Sequence, residues 1–115
     1  MKASDIALTI LPQDEKRKRR PVLILTKMPG FGDFLVCAIS TQLHQFIRGF
    51  DLILEKEDPF FSETGLLENS LIRLSNLAVI PSQDIVGAIG KLEMSKFTAL
   101  ITNLTTHLLK KNKQV

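Results

Sequence analysis

The sequence has no tryptophan, no tyrosine and a single cysteine, Cys37. One thiol excludes a disulfide framework and a cysteine-based zinc site. Two histidines, His44 and His107, are too few for a histidine metal cage, so neither a metal nor another cofactor is expected. Seven phenylalanines supply all the aromatic area, and a base-stacking platform would have to use Phe, His or Arg. No apolar run reaches the roughly 18 residues that a membrane helix needs. Met1 to Asp5 lacks the apolar stretch of a secretory signal. A cytoplasmic protein without a membrane partner is the expectation.

What is present is an ordinary globular composition, 44% hydrophobic and 23% charged over 115 residues. That length predicts one domain, 1–115, with one modest core. Fifteen Lys and Arg against twelve Asp and Glu give a net charge of +3. The small total hides an uneven distribution. Lys16, Arg17, Lys18, Arg19 and Arg20 form an unbroken basic run, and Lys110, Lys111 and Lys113 gather near the C-terminus. From Asp51 to Glu68 six carboxylates face only Lys56. Five adjacent cations repel one another and favour an exposed loop, 11–20. Such a loop is either a solvated segment or an arm that attracts phosphate. Arg20 is the member fixed against Pro21 and the strand that follows.

Hydrophobic periodicity predicts strands at Ile6–Ile10, Val22–Leu25, Phe34–Ile39, Phe50–Leu54 and Ser70–Ile80. Gly87 and Gly90 within Ile85–Leu92 suit a bent or bulged strand. Glu55–Glu68, broken by Pro59, reads as a loop with a short turn. Phe97, Leu100, Ile101, Leu104 and Leu108 recur at helical spacing, which predicts a helix over about 95–111 with Ser95 as N-cap. Lys110 and Lys111 suit its C-terminal end. Many short strands and one terminal helix point to a mainly β (α+β) fold, a small bent sheet or barrel with a helix packed on it. Cys37, between Val36 and Ala38, reads as a core residue.

Several patches stand in a telling order: Ser4-Asp5-Ile6, Arg19-Arg20-Pro21-Val22-Leu23-Ile24-Leu25, Val36-Cys37-Ala38-Ile39-Ser40-Thr41-Gln42, then Gly65-Leu66, Ser70 and the strand around Arg73. Together they resemble the PemK/MazF family of toxins from bacterial toxin–antitoxin pairs, over about Ser4 to Lys110. The resemblance implies an SH3-like barrel that forms homodimers. It implies a metal-independent endoribonuclease acting on single-stranded RNA, silenced by an antitoxin whose acidic segment occupies the RNA groove. Arg20 matches the family's catalytic arginine, and a guanidinium that stays charged suits a phosphate clamp. Ser40 falls at the family's Ser/Thr position, with Thr41 beside it; both are catalytic candidates. Lys18, Arg19, Gln42, Arg73, Asp5 and His44 are candidate substrate-binding residues. Each has a plainer reading: a basic-run member, a strand terminus, a first-strand cap for Asp5, an exposed loop histidine for His44.

Two departures from the family stand out. Where part of the family pairs an arginine with an acid two residues on, Arg73 is followed by Ser75-Asn76-Leu77-Ala78. The acid–base pair does not carry over: either Arg20 with Ser40 suffices, or another group fills in, or activity is reduced, and His44, whose residue type suits proton transfer, is the candidate substitute. The loop before Arg20 is short, glycine-free and cationic, which favours backbone phosphate over base selection. The alternative to a nuclease is a module on the same barrel that binds nucleic acid, RNA or DNA, or an antitoxin-like protein without cutting.

Overall fold

The aliphatic runs become the strands of one antiparallel sheet. In the computed structural model, which describes residues 1–12 and 14–110, these are β1 (Asp5–Thr9), β2 (Arg20–Lys27), β3 (Phe34–Ser40), β4 (Leu52–Leu54), β5 (Ser70–Ile80) and β6 (Ile85–Lys91). Their order across the sheet is β4-β5-β3-β2-β1-β6. One helix, α1 (Met94–Leu109), follows. Strongly bent, the sheet is barrel-like but not closed, because β4 and β6 do not pair.

Alternation along each strand sends neighbouring side chains to opposite faces, and here both faces are covered. Ile6, Leu23, Cys37, Ile72 and Leu74 pack with Phe97 and Leu100 of α1. Ala7, Val22, Ile24, Val36, Ala38 and Ile80 form a second cluster on the other face. The one core expected from length is therefore two clusters sharing a sheet. This explains why Val22 to Leu25 reads as an unbroken apolar run: all four are buried. Burial of Cys37, with the Asp51 carboxylate adding to it, pushes its thiol up to about 12.

The helix begins one residue earlier than the periodicity suggests, and its cap differs from expectation. Glu93, not Ser95, is the N-cap: its carboxylate accepts from the Lys96 amide at 3.2 Å and from the Ser95 hydroxyl. Glu93 wins because one carboxylate serves two donors at the positive end of the helix dipole. The Ser95 hydrogen bond, with the Lys96 amide, holds the Glu93 carboxyl below its usual range. Lys111 and Lys113 lie outside the described residues; Lys110 caps the C-terminus, its amide donating to the His107 carbonyl at 3.2 Å.

Two irregularities shape the sheet. Ala38 of β3 faces Arg73 of β5, whereas Cys37 faces Leu77. Leu74, Ser75 and Asn76 are thus extra residues on β5, a wide bulge that bends the strand. β6 carries two smaller bulges against β1. The acidic stretch contributes a 3-10 turn, Phe61–Thr64, ending on Gly65 at φ 73°. This turn presses against β6, where a Cβ on Gly90 would collide with the Thr64 and Glu63 backbone and one on Gly65 with the Ile89 carbonyl. Two glycines therefore let this segment lie directly against β6.

Candidate functional site

Arg20 opens β2 and Ser40 closes β3. Val22 pairs with Ala38, and Ala38 with Arg73. Carrying the β2–β3 register two residues further sets Arg20 across from Ser40. Directly opposed residues share a face, so Arg20, Ser40 and Arg73 converge at one end of the sheet. They line a groove of about 440 Å³ together with Thr41, Gln42, Asp14 and Asn76.

Hydrogen bonds within the groove fix which atoms face a ligand. The Arg20 Nε–H donates to Asp14 Oδ2 at 2.9 Å. That bond occupies the inner edge of the guanidinium and leaves the terminal nitrogens for an anion. Asp14 also organises the loop: its Oδ1 accepts from the Lys16 amide at 3.0 Å, its own amide donates to the Leu11 carbonyl, and its carbonyl accepts from the Arg17 amide. The bond from Arg20, more than any other contact, holds the Asp14 carboxyl below the usual carboxylate range. Ser40 Oγ accepts from the Gln42 amide at 3.0 Å. Its hydroxyl proton thus remains to be donated outward. Arg73 Nε is buried and has no hydrogen-bond partner among the described residues. A buried, unsatisfied guanidinium donor is costly, and an anion seated against Arg73 would relieve that cost.

Other predicted residues stand apart. Asp5 lies at the far end of β1, paired with Lys91 of β6. Its carboxylate accepts from the Lys2 amide at 2.9 Å and lies 3.9 Å from Lys2 Nζ. Four residues separate it from Thr9, the partner of Arg20, or roughly 13 Å of strand. His44 is exposed on a 3-10 turn, Leu43–Gln45, and does not line the groove. Lys18 and Arg19 are exposed on the loop beside the groove rather than in its wall. Asp14 is the residue that sequence reading passed over. It stands within the loop 11–20, a carboxylate just ahead of the basic run. Among the described residues no three His, Cys, Asp or Glu side chains gather where they could hold a metal ion.

A groove with two guanidiniums, three hydroxyls and one carboxylate, from Arg20, Arg73, Ser40, Thr41, Ser70 and Asp14, can be set beside known proteins. The model of the PemK-like, MazF-like toxins of type II toxin–antitoxin systems matches residues 2–108. The chain belongs to this family. No curated protein sequence matches it. Among solved structures it is similar to the Mycobacterium tuberculosis toxin MazF-mt6, with 26% identity and a TM-score of 0.66 over 94% of this chain and 99% of that one. The six-stranded sheet with one C-terminal helix is thus the PemK/MazF fold. In this family member the groove takes its arginine from the Arg-Pro strand start, as the sequence patches suggest, and its carboxylate from the preceding loop.

Proposed function

We propose that this PemK/MazF-family chain is an endoribonuclease toxin that cuts single-stranded RNA without a metal ion. The observation that carries the reading is the meeting of Arg20, Ser40 and Arg73 in one groove. In the reaction the ribose 2′-oxygen attacks the neighbouring phosphorus and passes its proton to water, and the bond to the 5′-oxygen breaks as that oxygen takes a proton from water. Negative charge builds on the non-bridging oxygens. The terminal nitrogens of Arg20 and the guanidinium of Arg73 meet that charge, and preorganised donors of this kind act on the transition state. Ser40 donates its hydroxyl proton to a phosphate oxygen, and Thr41 and Gln42 position the adjoining ribose. Asp14 holds Arg20 in register. Lys18 and Arg19 draw the RNA backbone toward the groove. The protein works as a homodimer in the cytoplasm, held inactive by an antitoxin whose acidic segment competes for the same cations.

The test is incubation of purified protein with single-stranded RNA in EDTA beside Arg20→Ala. Wild type cuts, and the variant loses about 100-fold or more in rate, the usual size for one lost oxyanion donor. Ser75-Asn76-Leu77-Ala78, which lacks the family's acid, favours a second reading, a module that binds without cutting. RNA binding with no cutting by wild type would establish that reading instead.

A further inference from the structure

A second groove, of about 460 Å³, lies where the end of α1 meets the turn around Gly49. Arg48, Phe50, Ser75, Thr106, His107 and Lys110 line it. No carboxylate is among its lining residues, and neither Arg48 nor Lys110 forms an ion pair with a described residue. The walls are tied together. Asn103 Nδ2 donates to the Phe50 carbonyl at 3.1 Å, and the Phe50 and His107 rings meet at 5.3 Å. Asp51, buried, accepts from the Ile47 amide and from the Leu74 amide, both at 3.0 Å. The turn is thereby fastened to α1 on one side and to β5 on the other, so a ligand would order little on arrival.

Position gives this groove its meaning. Ser75 of the β5 bulge lines it, while Asn76 of the same bulge and Arg73 just before it line the first groove. One polyanionic strand crossing the bulge therefore meets both. The C-terminal end of α1 carries roughly half a negative charge, which two full cations outweigh. His107 offers a ring N–H and Thr106 and Ser75 offer hydroxyls, all able to donate to phosphate oxygens.

We infer that this second groove is a phosphate subsite for the RNA chain flanking the cut, with Arg48 and Lys110 as its cations. The inference rests on the endoribonuclease reading. Two measurements test it and keep the two apart. The first is the slope of log affinity against log salt for an RNA long enough to cross β5, for wild type, R48Q/K110Q and the charge-matched control K27Q/K91Q. Each lost phosphate contact to a single strand flattens the slope by about 0.7, so R48Q/K110Q should flatten it by about 1.4 and the control should not. The second is titration with inorganic phosphate, followed by NMR at the Thr106 and His107 amides, which should shift in wild type and not in R48Q/K110Q. Cutting by wild type with equal slopes in wild type and R48Q/K110Q overturns the subsite and leaves the nuclease reading standing. Amides that ignore phosphate also overturn it. Phosphate shifts that depend on Arg48 and Lys110, in a wild type that neither binds nor cuts RNA, support the anion site and remove the nuclease reading.

Discussion

Asp14 decides how Arg20 presents itself. A lone arginine at a strand start would sample many rotamers, whereas one whose Nε is bonded to a carboxylate offers a fixed fork. Because the Asp14 carboxyl is held below its ordinary value of 3.8, its contribution to stability has a definite sign. It is complete above that ordinary value and is lost as pH falls through the lower value of the folded state. Asp14→Asn should therefore be less stable than wild type by a constant margin at neutral and mildly acidic pH, with the margin closing below about pH 4. Thermal unfolding at a series of pH values checks this, and a margin unchanged down to pH 2 would remove the linkage. The same variant should slow cutting by freeing the Arg20 fork while leaving its charge. The sequence alone did not disclose this role. Arg20 could be identified because it stands next to Pro21 in a recognisable patch. Asp14 could not, because a carboxylate in a turn has its own local reason to be there.

At the level of elements, short aliphatic and β-branched runs located β1 to β5, two glycines in an apolar stretch located β6, and the helix spacing located α1. The ends and irregularities were harder to see. β4 starts at Leu52 rather than Phe50, since Phe50 and Asp51 are used in the turn that Asp51 fastens. The β5 bulge was hidden inside what reads as one long apolar run, because three extra residues are visible only against a partner strand. The second groove had a signal that could have been read: Asn103, Thr106, His107 and Lys110 recur at helical spacing, opposite the apolar stripe of α1. The turn at Phe61–Thr64 depends on backbone contact, and Gly90 is its most sensitive point. Gly90→Ala would drive a Cβ into the Thr64 and Glu63 carbonyl region. A loss of about 1–3 kcal/mol is expected, the usual range for overpacking a site that cannot give way. Chemical denaturation measures it. An unchanged midpoint would mean that the turn moves freely off β6.

For the molecule as a whole, shortness and charge work together. A sheet of this size covers both of its faces yet leaves Leu77 and Val79 of β5 41% and 49% exposed. Apolar side chains exposed on one strand suit burial against another subunit, which supports the proposed homodimer. Sedimentation at micromolar concentration should give twice the chain mass, and Leu77→Lys with Val79→Lys should shift it toward the monomer. A wild type that stays monomeric would count against the paired arrangement. The net charge of +3 is a poor guide to function, because the acidic stretch spends itself on structure: Glu68 meets Lys56, Glu63 meets Lys91 and Asp58 meets Lys96. Among the described residues, Lys16 to Arg19 of the basic loop, Arg48, Arg73 and Lys110 are left without a carboxylate partner around the two grooves, and Lys27 is left without one away from them.

The way the sheet ends also limits how anything can attach to it. A bare strand edge is a template that another chain can extend, in a partner or in a fibril. Here one border is β4, three residues long, and the other, β6, is bulged twice and pressed by the segment at Gly65. At those two borders an antitoxin peptide would find little edge on which to lay a further strand, and the stretch of β5 past Ile72, which no described strand covers on its outer side, is where backbone pairing stays open. Recognition at β4 and β6 must therefore come through side chains and charge rather than through backbone pairing. The same two borders should also resist edge-to-edge stacking into fibrils.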